Sequence, residues 1–547
     1  MRRANRIIPL LLLCFGTTYS IATEPTPDFS RGRAMLDAYL RDQVRQISDA
    51  CLSDVKSRAD WEAKRPELRR QFLEMIGLWP LPARTALNPV ITGRIEGERF
   101  NIEKLHFQSI PGLYVTANLY IPKLTTFPAP TILYVCGHSP TVVDKVPHGN
   151  KVSYQHHPAW FAEHGYACLI LDTLELGEVP GVHHGTYRFN QWWWQAAGYT
   201  PAGIECWNAM RALDYLETRP EVDRKRIGVT GRSGGGATSW WLAAADDRPQ
   251  CIVPVAGIAD LKAHVIEPCL PHYPRGVING HCDCMYFVNT YRWDFAMAAA
   301  LCAPRPLMLG NSDQDYIFPV SGYRRLADKV AKIYGLYGAA EKFVVLETSG
   351  PHKDTPELRL GAYRWMNQWL SQPTREMSEQ ARPKILPQDL KVLSSAPSGA
   401  INATVQETLV KPAQPLLPAV PEVAKEWWQG KRQELMLALQ EKVFRGWPAR
   451  PPALDLKLAA DIQHGGVRLR AYDFVSEPGI ELRLWLLTSA KVARPSVLVL
   501  EALDEPGWNE WRAGLGPEFE KAFQSPRMPL LDEAKFAQHR RAMDYHK

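Results

Sequence analysis

The chain has 547 residues, 46% hydrophobic and 22% charged, the balance of a globular protein with a large core and more than one typical domain. Its formal net charge is +6, and it falls to +3 without residues 1–22, which hold three arginines and no acid. So small an excess, with no concentrated basic run, excludes a nucleic-acid binder working through a basic surface.

Arg2, Arg3 and Arg6, the apolar stretch Ile7 to Phe15, and Ser20-Ile21-Ala22 form the three parts of a secretory signal. The apolar stretch is too short for a stable membrane anchor, so cleavage after residue 22 and export to the periplasm or outside the cell are expected. Residues 23–90 read as helical and charged. Arg94 to Phe107 and Leu113 to Pro122 alternate like hairpin strands joined near Ile110-Pro111-Gly112. Pro130 to Val135 predicts a buried strand that ends in the loop Cys136-Gly137-His138-Ser139. Trp160 to Gly165 predicts a helix and Tyr166 to Asp172 the next strand. The loop after it carries Glu175, Glu178, His183 and His184, then Gln191-Trp192-Trp193-Trp194. Acids beside a histidine pair in a loop are suited to sugar hydroxyls, so Glu178, His183, His184 and Trp194 are the candidate substrate contacts. The rest of the tryptophan run reads as helix packing.

Ile227 to Thr230 is a short β-branched run and Gly236 to Asp247 a continuous small, aromatic and aliphatic one, which predicts a buried strand followed by a buried helix. Between them Gly231-Arg232-Ser233-Gly234-Gly235 has the G-x-S-x-G spacing of a sharp strand-to-helix turn that presents a serine hydroxyl. Two later strand–loop units supply the partners a serine nucleophile needs. Arg305 to Gly310 leads into Asn311-Ser312-Asp313-Gln314-Asp315, and Glu341 to Leu346 leads into Gly350-Pro351-His352. Ser233, Asp315 and His352 are the candidate catalytic residues, with His352 taking the serine proton and the acid fixing its tautomer. Asp315 is preferred over Asp313 because in the fold this pattern resembles the acid commonly stands four residues before the proline that opens the next helix, here Pro319. The N–H groups of Gly234 and of the His138 loop are the candidate oxyanion donors.

Between the strands near Ile252 and Pro306 an insertion holds Cys269, His272, His281, Cys282 and Cys284. Cys and His are zinc ligands, but C-x-C suits a tetrahedral site less well than C-x₂-C, and a serine mechanism needs no metal. The expectation is a disulfide-bearing lid, with no metal and no cofactor. After loss of Cys14, nine cysteines remain, so not all can pair within one chain. Cys136, Cys168 and Cys251 lie in or beside apolar strands and read as reduced core residues.

Residues 373–424 are proline-rich and read as a connector wrapping the preceding domain. Beyond it the chain repeats itself. Trp61, Lys64, Arg65, Glu67 and Leu68 recur as Trp428, Lys431, Arg432, Glu434 and Leu435, and Phe107, Pro111, Gly112 and Leu119 as Phe474, Pro478, Gly479 and Leu486. Pro130 to Val135 recurs as the predicted strand Pro495 to Leu500. The second copy has no counterpart of Ser233, and its loop reads Glu501-Ala502-Leu503 where the first has Cys136-Gly137-His138. The expected division is 1–22 signal peptide, 23–90 helical lead, 91–372 catalytic domain, 373–424 connector and 425–547 truncated non-catalytic repeat docked on the first. Residues up to Thr374 are expected to hold the chemistry on their own.

Residues of about 90 to 372 resemble α/β-hydrolases, in particular the acetyl xylan esterase and cephalosporin-C deacetylase branch and exported bacterial proteins described as prolyl oligopeptidase-like. The residues that carry this are Cys136-Gly137-His138-Ser139, Gly198-Tyr199-Thr200-Pro201-Ala202-Gly203, Gly231 to Gly236, His281-Cys282-Asp283-Cys284-Met285 and Ala303-Pro304-Arg305-Pro306. The last two are also similar to segments of glucuronoyl esterases. Gly234 and Lys353 stand where the deacetylases have Gln and Glu. The resemblance implies an α/β-hydrolase fold, a mostly parallel sheet flanked by helices, here with an incomplete C-terminal second repeat. It implies a serine esterase acting on a carbohydrate ester or another small ester. Two other readings are a peptidase of the prolyl oligopeptidase type and a non-catalytic carbohydrate-binding relic. The peptidases gate their sites with a large β-propeller, whereas about 70 helical residues precede this domain. An intact Ser233, Asp315 and His352 set argues against a relic.

Overall fold

The computed structural model describes residues 30–269, 276–278, 281–371, 383–410, 420, 424–448, 450–491, 497–515, 517–523 and 531–544. The signal-like segment and His272 lie outside these. The chain divides into two units, residues 40–446 and a smaller one of residues 1–39 with 447–547. No helix among the described residues is long and apolar enough to cross a membrane.

In the larger unit one sheet contains β1 (Val90–Glu96), β2 (Phe100–Ile110), β3 (Leu113–Pro122), β4 (Ala129–Val135), β5 (Ala167–Leu171), β6 (Val222–Arg232), β7 (Cys251–Val255), β8 (Leu307–Ser312) and β9 (Phe343–Thr348). Their order is β1-β2-β3-β5-β4-β6-β7-β8-β9. β1 to β3 form an antiparallel meander, β3 meets β5 antiparallel, and every later pairing is parallel. All residues of β4, β5 and β7 are buried, as their apolar runs require of parallel strands covered on both faces. The helix after β6, α1 (Gly234–Ala245), is buried at all twelve positions, the outcome for a helix apolar all round. Its Trp241 stacks on Phe72 of the leading helix Arg58–Met75, with ring centroids 5.5 Å apart.

Parallel strands place their C-terminal ends on one side of the sheet, and ligands bind there in open α/β sheets. The loops after β4, β6, β8 and β9 leave from those ends and carry His138, Ser233, Asp315 and His352.

Residues 383–410 are built into this unit. Asn402 exchanges two hydrogen bonds with the backbone of Tyr114, at 3.1 and 2.9 Å, and Asn118 at the buried centre of β3 donates to Leu390 O at 3.2 Å. Leu390 and Val405 are core residues. A chain ending at Thr374 is therefore expected to melt well below one ending at Gly446, because it strips hydrogen-bond partners from buried Asn118 and Glu178. Equal thermal midpoints for the two truncations would refute this.

The smaller unit holds β10 (Lys457–His464), β11 (Val467–Glu477) and β12 (Ile480–Ser489), an antiparallel meander. Its strands begin 367 positions after β1, β2 and β3. Register irregularities fall at Leu458/Ala460 and Val475/Glu477, matching Ile91/Gly93 and Gln108/Ile110 at the same spacing. The turns match too, with Gly112 and Gly479 both at φ 83°, a left-handed conformation that favours glycine. Of the predicted strand Pro495 to Leu500, Pro495 and Ser496 lie outside the described residues, and Val497 to Leu500 have no strand structure and are exposed. The matching β4 lies between two parallel neighbours, whereas no described strand stands beside Val497 to Leu500.

Candidate active site

Ser233 follows β6 and caps α1 at φ 59° and ψ −121°, a strained conformation for a non-glycine residue. The strain is held by close packing on both sides. A Cβ on Gly231 or on Gly235 would stand 2.1 Å from Val135 O, so neither position tolerates a side chain. The elbow leaves the Ser233 hydroxyl facing His352, with Nε2 3.1 Å from Oγ. His352 Nδ1 lies 2.6 Å from Asp315 Oδ2. The hydrogen-bond network fits Nδ1–H donating to Asp315 and Nε2 accepting from Ser233. Asp315 is buried, and its other oxygen accepts the N–H groups of Ile317 and Phe318 at 2.9 and 3.2 Å, which fixes the carboxylate plane.

Asp313 has a different task. Its Oδ1 accepts Gly350 N at 2.9 Å, while Asp313 N and Gln314 N donate to Thr348 O and Gly350 O. These bonds zip the loops after β8 and β9 together, which brings Asp315 to His352. The geometry thus separates the two aspartates.

Gly234 is the first residue of α1, so its N–H has no carbonyl four residues back. The His138 loop lies directly over it: a Cβ on Gly234 would stand 2.2 Å from His138 Cε1. Asn150 Nδ2 donates to Gly137 O at 2.6 Å and holds that loop in place.

The four expected substrate contacts separate. Glu178 is buried, bonded to Lys151 Nζ at 2.5 Å and to Val392 N and Leu393 N at 2.8 and 2.7 Å. All of its capacity is spent inside the fold, which corrects the expectation of a substrate role. Trp194 is buried against Tyr199, ring centroids 4.9 Å apart, and is a core residue, a second correction. His183 is wholly buried with its ring against His138, centroids 4.4 Å apart, and does not face a substrate, a third. His184 alone is partly exposed, with Nδ1 2.8 Å from Glu175 Oε2. Burial opposes charge on His184, but bonds to Cys282 and Glu175 outweigh it and push its pKa up to about 9. The exposed aromatic side chains in this region are instead Tyr187, Phe189, Trp192 and Trp193.

The expected disulfides are absent among the described residues, where all nine cysteines are free. Cys269 Sγ lies on Tyr316 O at 3.1 Å. Cys282 and Cys284 have sulfurs 3.0 Å apart, against about 2.05 Å for a bond. What sequence reading missed is their neighbour: Cys282 Sγ lies 3.1 Å from His138 Nδ1, across 144 positions of chain.

A mostly parallel sheet with a serine elbow at the end of a central strand gives this chain the α/β-hydrolase fold. The model of the prolyl oligopeptidase family (Peptidase_S9) matches residues 152–349, which include Ser233 and Asp315 and stop just short of His352. Putative hydrolase YtaP of Bacillus subtilis (strain 168) is 26% identical over 317 residues, 56% of this chain and 100% of that protein. Carbohydrate esterase MZ0003, from an unknown prokaryotic organism, is 26% identical over 155 residues, 27% of this chain and 33% of its own length. Among solved structures, Methylesterase BT1017 matches with TM-score 0.52 at 20% identity, covering 75% of this chain and 82% of that one, a likeness of fold.

Proposed function

We propose that the protein is a serine esterase that cleaves carboxylic esters on polysaccharides. The observation that carries this is the relay from Ser233 through His352 to buried Asp315 at a strained elbow. In this reading Ser233 Oγ attacks the ester carbonyl carbon while its proton passes to His352 Nε2, and Asp315 steadies the imidazolium. The oxyanion meets the N–H of Gly234 and the backbone of the Gly137–His138 loop. His352 then protonates the departing alcohol, and water repeats the sequence to release the acid and restore Ser233.

The likeness to a carbohydrate esterase supports a sugar ester, as do the exposed rings of Tyr187, Phe189, Trp192 and Trp193, which offer faces for stacking on sugars. The signal-like N-terminus supports export, and the matched bulges and turns of the two meanders support a duplicated segment. The prolyl oligopeptidase family match keeps peptidase activity as the second reading.

Purified protein assayed on chromogenic acetyl and longer acyl esters, acetylated xylan, a methyl glucuronate ester and dipeptidyl substrates separates the two, with Ser233→Ala as blank. Turnover of dipeptidyl substrates with none of the esters would overturn the esterase reading. Within the relay, Asp315→Asn is expected to lower turnover at least ~10²-fold, since it loses the carboxylate that fixes the tautomer. Asp313→Asn keeps an acceptor for Gly350 N and should stay close to wild type. A greater loss at position 313 would reverse the assignment.

A further inference from the structure

We propose that His138, His183, Cys282 and Cys284 form a structural zinc site that pins the loops around the nucleophile elbow. One ligand atom from each of the four lies within 4.8 Å of all the others. Cys282 Sγ is 3.0 Å from Cys284 Sγ, and His138 Nε2 lies 3.5 Å from Cys284 Sγ and 4.0 Å from Cys282 Sγ. Tetrahedral zinc with two sulfur and two nitrogen ligands, at about 2.3 and 2.0–2.1 Å, needs ligand-to-ligand edges of roughly 3.3–3.8 Å. Opening the Cys282–Cys284 edge by about 0.8 Å and closing the longer edges by up to about 1 Å produces that arrangement. A set of two thiolates and two imidazoles selects zinc over the oxygen-seeking magnesium and calcium, and four protein ligands leave no open position for chemistry.

His183 supplies an independent sign of a missing ligand. It is wholly buried, and neither ring nitrogen makes a hydrogen bond to nitrogen or oxygen among the described residues, while the Cys282 sulfur lies within reach. A buried imidazole left so is costly, and a metal on one nitrogen removes the cost. The other side is prepared. His183 Nδ1 is 3.5 Å from Glu175 Oε2 and 3.8 Å from Glu205 Oε1, an oxygen that is also buried without a hydrogen-bond partner among the described residues. Metal-bound histidines commonly donate their second N–H to such a carboxylate. A second histidine–carboxylate cluster, His156, His157 and Asp354, of which only His157 is buried, lacks this signature: His157 engages Asp354 through Nε2 at 3.0 Å and Tyr363 through Nδ1 at 2.9 Å.

The C-x-C spacing, unfavourable in isolation, is accommodated by what lies between the cysteines. Asp283 points away and accepts Thr186 N and Thr186 Oγ1 at 2.8 and 2.7 Å, and Trp241 Nε1 donates to Cys284 O at 3.2 Å. Both cysteines are thus held inward by a rigid backbone. The ion would join three segments far apart in sequence: the loop after β4, the loop after β5 and the insertion before β8. Its first ligand, His138, lies against Gly234. Its task is to position the loop, and no bond-making step passes through it.

The full-length protein purified without chelator and analysed by mass spectrometry for metals is expected to carry about one zinc per chain. Exchange with cobalt should give thiolate-to-metal charge transfer and intense tetrahedral d–d bands. Cys282→Ser and His183→Ala should each lower zinc content at least tenfold, while Ser233→Ala retains it. Glu205→Gln should weaken zinc about 10–100-fold against a competing chelator. If the cysteine variant does not fold, the cobalt spectrum of the wild-type chain and the Glu205→Gln titration decide. Folded wild-type protein that takes up neither metal, a Cys282–Cys284 disulfide found by peptide mapping, or zinc retained in a Cys282→Ser/Cys284→Ser double variant would each overturn the proposal.

Discussion

Ser233→Ala and His352→Ala are each expected to lower ester turnover at least ~10³-fold while leaving the fold intact, because nucleophile and base act as a unit. Without the hydroxyl no acyl-enzyme forms. Without the imidazole the hydroxyl keeps its proton, since nothing else in the relay is placed to take it at 3.1 Å. The double variant should lose little more than either single one, which separates a shared mechanism from two independent contributions. Far-ultraviolet circular dichroism and thermal midpoints should match wild type. Alanine at 233 removes one exposed-side hydroxyl and relieves no packing, although the φ of 59° remains strained. Near wild-type turnover by either variant would sink the mechanism.

Glu178→Ala is expected to cost about 3–5 kcal/mol of stability, the magnitude for breaking a buried ion pair from one side. Lys151 has no exposed side-chain surface and lies between Glu178 Oε1 at 2.5 Å and Asp172 Oδ2 at 2.7 Å. Asp172 also accepts Lys151 N at 2.9 Å, so loop and strand end are tied to one ammonium. Removing Glu178 leaves the cation with one carboxylate and strips acceptors from Val392 N and Leu393 N. Glu178→Gln keeps an acceptor for the two N–H groups and should cost less. Urea denaturation of the three proteins measures the difference. KM for a small ester should be unchanged in whatever remains folded. A raised KM with unchanged stability would restore Glu178 as a substrate contact.

The distribution of what could be read follows the range of the interactions. Gly231 to Gly235 specifies its own geometry, because a β-branched run, a turn that crowds out side chains and a buried-helix run are all local patterns. The choice of Asp315 over Asp313 rests on the spacing to Pro319 that the resembled fold commonly shows, a pattern confined to one loop. The two meanders repeat in sequence and again in bulges and turns, as short antiparallel hairpins take their register from their own residues.

Side-chain direction in the loop after β5 was not legible. Glu178, His183, His184 and Trp194 share one stretch, yet one is a buried ion-pair partner, one faces cysteines, one is partly exposed and one is core. Pro495 to Leu500 has the composition of β4 and was read as a strand, but a strand's backbone needs neighbours, and composition does not supply them. The cysteine cluster is the sharpest case. The sequence by itself determined the hydrolase fold, the elbow and the order of its partners, because each is written within a few residues. Only the tertiary structure decided that Cys282 and Cys284 meet His138 and His183 as well as each other. That outcome depends on where three loops converge at the end of a parallel sheet, and no local spacing encodes the approach of atoms 144 positions apart.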